Sequence, residues 1–245
     1  MKNKLIITMI VGLMSVYVVG CGNSDKTSLT KSNPMITTKI TEGKTNKSNS
    51  DKSDDSKFLY GKSELKNGGY VIEEYNGEAN AFEIPDTYEN NPVVEIGEQA
   101  LAYLNMEKVV LGENILEINK YAFLSCEKLT VIEFNKKIKN IGELAFMSSG
   151  LRGKISVPDS VEKIERGAFG DTKLEEVELG KGLKYVGAQA FGNDKQLKKI
   201  IFNNTDVEFE DGTVFEDCPN LTIVAPKGST AEKYAKDNNI NFEER

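Results

Sequence analysis

The chain contains the stretch Ile164-Glu165-Arg166-Gly167-Ala168-Phe169, in which an aliphatic residue is followed four positions later by Ala and then by a large apolar residue. The same pattern occurs five times, and each copy begins 22 or 23 residues after the previous one. A fixed period of this length is typical of a solenoid. Solenoids usually act through a long surface rather than through a catalytic cleft. The other four copies span residues 96–101, 118–123, 141–146 and 186–191, and a degenerate sixth copy ends at Phe215.

A short strand follows each copy. Residues 177–179 and 200–202 alternate between inward and outward positions, which is the two-residue period of a strand. Each repeat is therefore predicted to be one coil: a strand, a turn, a return leg, and a short helical or 3₁₀ segment at the Ala-Phe pair. A coil this short buries its apolar side only by stacking on its neighbours. The residue after each strand is a turn former: Gly112, Asn135, Pro158, Gly180 and Asn203.

The repeats resemble the BspA-like family of bacterial leucine-rich repeats, most closely at Val157-Pro158-Asp159-Ser160-Val161 and in the Ile164 copy that follows it. Residues 126–129 and 218–221 match the other half of the family signature, and the resemblance covers roughly residues 58–245. It implies a secreted or surface-attached binding protein and no shared catalytic site. The chain departs from the family pattern at Leu101 in place of Phe, at the extra residue Gly153, and at Leu104, Ser149, Thr172 and Asp194 in the usual Cys column.

Together, pattern and resemblance predict an α/β solenoid, a short right-handed leucine-rich-repeat stack of about five to six coils with a parallel sheet on one face. We expect an N-terminal β-hairpin cap at residues 58–95, the solenoid at 96–225, and a C-terminal cap at 226–245. In the first cap, Asn76-Gly77 between two β-type runs predicts the hairpin turn. In the second, Ser229 and Glu232 have the spacing of a capping box and predict a short helix.

The N-terminus predicts export. Lys2 and Lys4 precede an apolar run that ends before Cys21, which is typical of a signal peptide over residues 1–20. The Cys at the cleavage point indicates a lipoprotein signal with lipid attached at Cys21. The alternative is an uncleaved anchor, although the run is shorter than the ~20 residues of a spanning helix. Residues 21–57 are predicted to be a disordered polar linker, either a tether or an unselected tail. We therefore expect a membrane-anchored lipoprotein on the extracytoplasmic side of a bacterial cell surface.

The composition excludes several kinds of chemistry. The chain has no histidine, which removes the usual Ser-His-Asp and Cys-His systems and the commonest zinc ligand. The formal charge of −7 becomes −9 when Lys2 and Lys4 are removed with the signal, which disfavours nucleic acid as a partner. Cys126 and Cys218 lie four coils apart, about 19 Å by strand spacing, so we expect small core residues rather than a disulfide. We expect no catalytic residue, no metal and no cofactor.

Carboxylates are the remaining route to catalysis. Glu133, Glu176 and Glu178 lie on predicted strands, and a spaced pair of carboxylates is what a glycosidase needs. A solvated acidic face explains the same residues. The acidic residues at 206, 208, 210 and 211 favour either a calcium site or a polar turn, and they lack the spacing of a calcium-binding loop.

The outward strand positions define a candidate binding face. Val110 and Ile201 are apolar where water would favour polar side chains, which indicates either a ligand patch or simple β propensity. We therefore expect the solenoid to bind an extracellular protein or glycan, in adhesion or recognition. The alternatives are an envelope scaffold without a specific ligand and, less favoured, a carbohydrate-active enzyme. The face comprises Val110, Glu133, Ser156, Glu178 and Ile201.

Overall fold

The computed structural model describes residues 55–78 and 80–245. The predicted signal peptide, the predicted lipid-attachment residue Cys21 and nearly all of the predicted linker lie outside these residues. Within the described part, no helix has both the length and the apolar character needed to cross a bilayer. The described chain is a β-solenoid of parallel strands with one short α-helix near its C-terminus, as the repeat pattern predicts.

One side of the coils carries two parallel sheets, whose outward side we call the long-strand face. Its strands pair in the orders β3-β6-β8 and β10-β12-β14-β16-β17. Residues 108–110, 176–179 and 199–202 alternate between a buried apolar residue and an outward one, as expected from the two-residue period. The strands are β3 (Ala81–Glu83), β6 (Lys108–Val110), β8 (Val131–Glu133), β10 (Arg152–Ser156), β12 (Lys173–Leu179), β14 (Lys199–Phe202), β16 (Thr222–Ala225) and β17 (Asn241–Glu244).

The long-strand face is divided between β8 and β10, whereas the pattern predicted a single sheet across all coils. The break coincides with Gly153. Leu129 and Ile132 are three residues apart, whereas the equivalent Leu151 and Ile155 are four apart, so Gly153 is an added residue. It adopts a left-handed φ of 70°, and the register of β10 against β12 shifts directly after it. A bulge of this kind bends a strand and interrupts its ladder.

A second, nine-stranded sheet runs along the return legs, and we call it the short-strand sheet. It pairs in the order β1-β2-β5-β7-β9-β11-β13-β15, with β4 attached to β5. Most of its solenoid strands have only two residues, one inward and one outward. They are β1 (Phe58–Lys62), β2 (Tyr70–Tyr75), β4 (Thr87–Tyr88), β5 (Asn91–Ile96), β7 (Glu117–Ile118), β9 (Asn140–Ile141), β11 (Lys163–Ile164), β13 (Tyr185–Val186) and β15 (Glu208–Phe209).

The Ala-Phe segment of each coil is a series of turns, not the short helical or 3₁₀ piece that the pattern predicted. The N–H of Ala145 donates to the carbonyl of Gly142 at 3.2 Å, and the N–H of Phe146 donates to Ala168 of the next coil at 2.8 Å. A left-handed residue stands directly before the Ala of each complete copy, and a second follows four residues later. Such residues stop a right-handed helix from continuing. They are Gln99, Tyr121, Leu144, Gly167 and Gln189, then Tyr103, Ser125, Ser148, Asp171 and Asn193.

The Phe column forms the centre of the core. Phe146 and Phe169 are fully buried, and each ring stacks on the rings of both neighbouring coils. The centroids from Phe123 through Phe191 are 4.9, 5.2 and 5.4 Å apart. Phe215 of the degenerate copy extends the column at 5.7 Å, so this coil continues the stack despite its altered sequence.

The N-terminal cap contains a hairpin, but not at the predicted turn. β1 pairs antiparallel with β2, so the connection is residues 63–69 rather than Asn76-Gly77. β2 also pairs in parallel with β5, and β3 pairs in parallel with β6. Asn76-Gly77 therefore links two different sheets. Parallel pairing along the stack gives each strand a neighbour that extends the common core, which a local β2–β3 hairpin would not.

The C-terminal cap follows the prediction. The helix α1 (Thr230–Asp237) begins after Ser229, whose side chain accepts the N–H of Glu232 at 3.2 Å. The Glu232 carboxylate in turn accepts the N–H of Gly228 at 2.6 Å. Ala231, Tyr234 and Ala235 form the buried side of the helix. β17 then adds the last parallel strand to the long-strand face.

Candidate functional site

The predicted face residues are partly exposed and lie in register. Val110 pairs with Glu133 on one sheet. On the other, Ser156 pairs with Glu178 and Glu178 pairs with Ile201. The break at Gly153 separates these two groups, so the five residues form a pair and a triplet rather than one continuous column.

Lysines from the neighbouring outward column neutralise the acidic members of the face. Lys108 lies 2.6 Å from Glu133, and Lys154 lies 2.9 Å from Glu176 and 3.6 Å from Glu178. The hydrogen bond to Glu176 raises the pKa of Lys154. The side chains of these pairs are 34–45% exposed, and such exposed pairs contribute at most about 1 kcal/mol each to stability.

The arrangement of Glu133, Glu176 and Glu178 matches a solvated face better than a catalytic pair. Each carboxylate lies on an open sheet in an exposed ion pair. A glycosidase general acid instead lies in an apolar pocket that favours its protonated form. None of these three carboxylates therefore lies in a setting that would keep it protonated as a general acid while another stays ionised.

In the acidic segment after β14, Glu208 lies in the strand β15, and Glu210 and Asp211 lie in the bend that follows it. Asp211 accepts the N–H of Thr213 at 2.7 Å and its hydroxyl at 2.6 Å, and these bonds lower the pKa of Asp211. Glu210 accepts the N–H of Ala188 in the preceding coil at 2.7 Å. Across residues 55–78 and 80–245, no cluster of three or more Asp, Glu, Cys or His side chains is arranged to hold a metal ion.

The two described cysteines are free and occupy equivalent positions. The Cys126 thiol donates to the Leu101 carbonyl at 3.1 Å, and the Cys218 thiol donates to the Phe191 carbonyl at 3.1 Å. Cys126 is buried as predicted, but Cys218 is partly exposed near the end of the stack. Burial raises the pKa of Cys126 to about 11 and of Cys218 to about 12, so neither thiol is a ready nucleophile.

The turn residues Asn135 and Gly180 hold neighbouring coils together. The Asn135 amide donates to the carbonyls of Gly112 at 2.6 Å and Ile115 at 2.9 Å, and its oxygen accepts two N–H groups of its own turn. A Cβ on Gly180 would lie 2.3 Å from the Pro158 carbonyl oxygen. Substitutions at these positions therefore test stability rather than binding.

A second column of partly or fully exposed side chains was missed by the sequence reasoning, which treated the return legs as connections. It lies on the short-strand sheet, one residue before the aliphatic position that begins each copy. An open groove of about 680 Å³ lies over its later members. The sequence signal is the run of polar residues at this one position of the period. The column, in register, is Glu95, Glu117, Asn140, Lys163, Tyr185 and Glu208.

The repeat architecture agrees with a family comparison. Residues 90–226 match six copies of the BspA-type leucine-rich repeat region. The chain belongs to this family. A comparison with curated proteins gave no match.

Solved structures share the BspA-type fold at low sequence identity. A leucine-rich repeat protein from Bacteroides ovatus is 24% identical over 69% of this chain and 45% of its own, with a TM-score of 0.57. The leucine-rich repeat protein of T. pallidum is 24% identical over 79% of this chain and 98% of its own, with a TM-score of 0.56. A leucine-rich cell surface protein from Faecalibacterium prausnitzii is 22% identical over 73% of this chain and 55% of its own, with a TM-score of 0.54. The chain thus spans about half the length of the Bacteroides and Faecalibacterium proteins, and the likeness is one of fold.

Proposed function

We propose that this BspA-type protein is a cell-surface lipoprotein, anchored through Cys21, whose long-strand face binds an extracellular protein or glycan partner. Three observations support the location: the chain belongs to the family, its N-terminus has the pattern of a lipoprotein signal, and a structural neighbour is named as a cell surface protein. The polar linker then carries the solenoid away from the bilayer.

The observation that carries the binding role is the register of outward side chains on consecutive parallel strands. Ser156, Glu178 and Ile201 stand opposite one another on β10, β12 and β14. Strands in a sheet lie about 4.8 Å apart, so this face presents side chains at short, regular intervals to an extended partner. The charged members already have lysine partners, which leaves Val110 and Ile201 as the main source of apolar contact.

The test measures binding of the full chain to a panel of purified extracellular-matrix proteins and mucins. Val110→Lys together with Ile201→Lys is expected to weaken binding at least about tenfold, because a charge replaces apolar contact at both ends of the face. The thermal unfolding midpoint should change little, since both positions are partly exposed.

The matched control is Asn105→Lys together with Gln196→Lys, at exposed positions five residues earlier in the same two coils. This variant adds the same charge away from the strands and is expected to bind normally. Equal losses in both variants would indicate a non-specific charge effect. Absence of binding to every member of the panel would favour the scaffold role instead.

A further inference from the structure

The groove on the short-strand sheet crosses β9, β11, β13 and β15 and has a volume of about 680 Å³. It belongs to a different sheet from the long-strand face, and the binding role proposed above does not use it. Its lining includes Lys139, Glu162, Lys163, Lys184, Tyr185 and Glu208.

The lining is electrically balanced although the surrounding domain is acidic. Three lysines and three glutamates line the groove. Of the 31 basic and 38 acidic residues of the chain, 8 and 4 precede residue 55, so residues 55–245 carry 23 basic and 34 acidic side chains. A locally neutral groove in an acidic domain favours a neutral polar ligand over a polyanion, which the whole domain repels.

The side chains at the centre of the groove are held in place by one another. Glu162 accepts hydrogen bonds from Lys139 at 2.9 Å and Lys184 at 2.6 Å, and these lower its pKa to about 2. Lys163 donates to Glu165 at 3.1 Å, and its ammonium lies 5.2 Å from the centre of the Tyr185 ring. An arrangement that is already ordered loses less conformational freedom when a ligand binds.

The groove combines an aromatic ring with both donors and acceptors. Burial and a hydrogen bond to Glu210 raise the pKa of Tyr185 to about 12, so its hydroxyl stays protonated and its ring neutral. Within residues 55–78 and 80–245, Glu208 forms no ion pair and offers an acceptor at the edge of the groove. Sugar hydroxyls both donate and accept hydrogen bonds, while the apolar face of a sugar ring packs on an aromatic ring.

We propose that this groove binds a neutral oligosaccharide, with Tyr185 as the stacking surface and with Lys163 and Glu208 as hydrogen-bonding partners of its hydroxyl groups. The chain of sugars lies across successive coils, so that each strand contacts a different part of it. This site is separate from the long-strand face, and loss of one activity leaves the other unaffected.

The experiment titrates the full chain with cellotetraose, maltotetraose and tetra-N-acetylchitotetraose, by calorimetry and by saturation-transfer NMR. We expect saturable binding to at least one of them with a Kd of about 0.1–1 mM. Tyr185→Ala is expected to weaken this binding at least about tenfold, and Glu208→Ala, which removes the acceptor from an exposed side chain, several-fold. The Val110→Lys and Ile201→Lys variant should bind the sugar normally.

Tyr103→Ala is the matched aromatic control, because Tyr103 is 65% exposed and lies outside the groove. If Tyr185→Ala lowers the unfolding midpoint, Glu208→Ala still tests the site, because Glu208 is exposed and its truncation removes little packing. The proposal is overturned if none of the three sugars binds at about 10 mM. It is also overturned if Glu208→Ala binds like the unmodified chain, or if only sulfated glycans or peptides bind.

Discussion

The carboxylate of Asp194 accepts two hydrogen bonds from Thr172 in the preceding coil, one from the backbone N–H at 2.5 Å and one from the hydroxyl at 2.8 Å. Both bonds use Oδ1, while Oδ2 is buried and without a hydrogen-bond partner among the described residues. Asp194 occupies the column that holds Cys126 and Cys218 in other coils, so a titratable acid stands where the family pattern has a thiol.

This acid makes stability depend on pH. Burial raises the pKa of Asp194 from 3.8 to about 7, with a smaller contribution from the charge of Asp171. The stability that accompanies the protonated acid is fully present below pH 3.8, the pKa in the unfolded chain. It is lost as the pH rises to about 7, the pKa in the folded protein. We expect the free energy of unfolding to fall by on the order of 1 kcal/mol per pH unit in this window from Asp194 alone.

Asp194→Asn isolates this effect, because the amide oxygen still accepts the Thr172 bonds but carries no charge. Denaturant unfolding of the variant and of the unmodified chain between pH 4 and pH 8 should show the variant gaining relative stability as the pH rises toward 7. Parallel profiles for the two proteins would contradict an acid that is protonated in the folded state.

The Phe column predicts where the core is most sensitive. Phe146→Ala and Phe169→Ala should each lower the free energy of unfolding by about 3–5 kcal/mol, because both rings are fully buried between two neighbours. Tyr60→Ala, at a partly buried position in the N-terminal cap, should lower the free energy of unfolding by a smaller amount. Phe58 of the same cap is not a suitable mild control, since it is buried against Tyr75 with ring centroids 4.8 Å apart. Equal losses at Phe146 and Tyr60, measured by denaturant unfolding, would argue against a central Phe column.

The lipid anchor is tested at Cys21. Cys21→Ala should abolish lipoprotein-type processing and move the protein from the detergent phase to the aqueous phase, because several buried acyl chains hold a protein stably to a membrane. Phase partitioning and intact-mass measurement provide the readout. Cys126→Ala is the control thiol substitution and should leave partitioning unchanged. Unaltered partitioning of Cys21→Ala would favour the uncleaved anchor.

The C-terminal cap is tested at Ser229. Ser229→Ala removes the acceptor for the Glu232 N–H and should cost about 1 kcal/mol of stability. Ser229→Asp should retain most of this stability, because a carboxylate also accepts the Glu232 N–H and is favoured at a helix N-terminus. Thermal unfolding of the two variants decides the point. A loss of similar size in both would assign the effect to the burial of Ser229 rather than to the cap.

The period of the sequence predicted which residues form the candidate binding face. It did not predict that this face is divided between two sheets. Val110 and Ile201 were placed on the outward side of strands because two-residue alternation fixes the side of each residue. Their membership of different sheets is visible only in the structure, where the break between β8 and β10 coincides with the added residue Gly153. The groove around Tyr185 was missed because two-residue strands are too short to show alternation.

The sequence by itself determined the repeat, the inward columns, the turn positions and the capped C-terminal helix, because each depends on residues close together in the chain. Only the tertiary structure decided that β2 pairs with β1 and β5, that the long-strand face breaks after β8, and that Tyr185 and Lys163 meet over a groove. These features depend on which coils lie side by side and on how an added residue changes their register. Such relations between coils are set by the stacking that buries the common core, and no single repeat contains them.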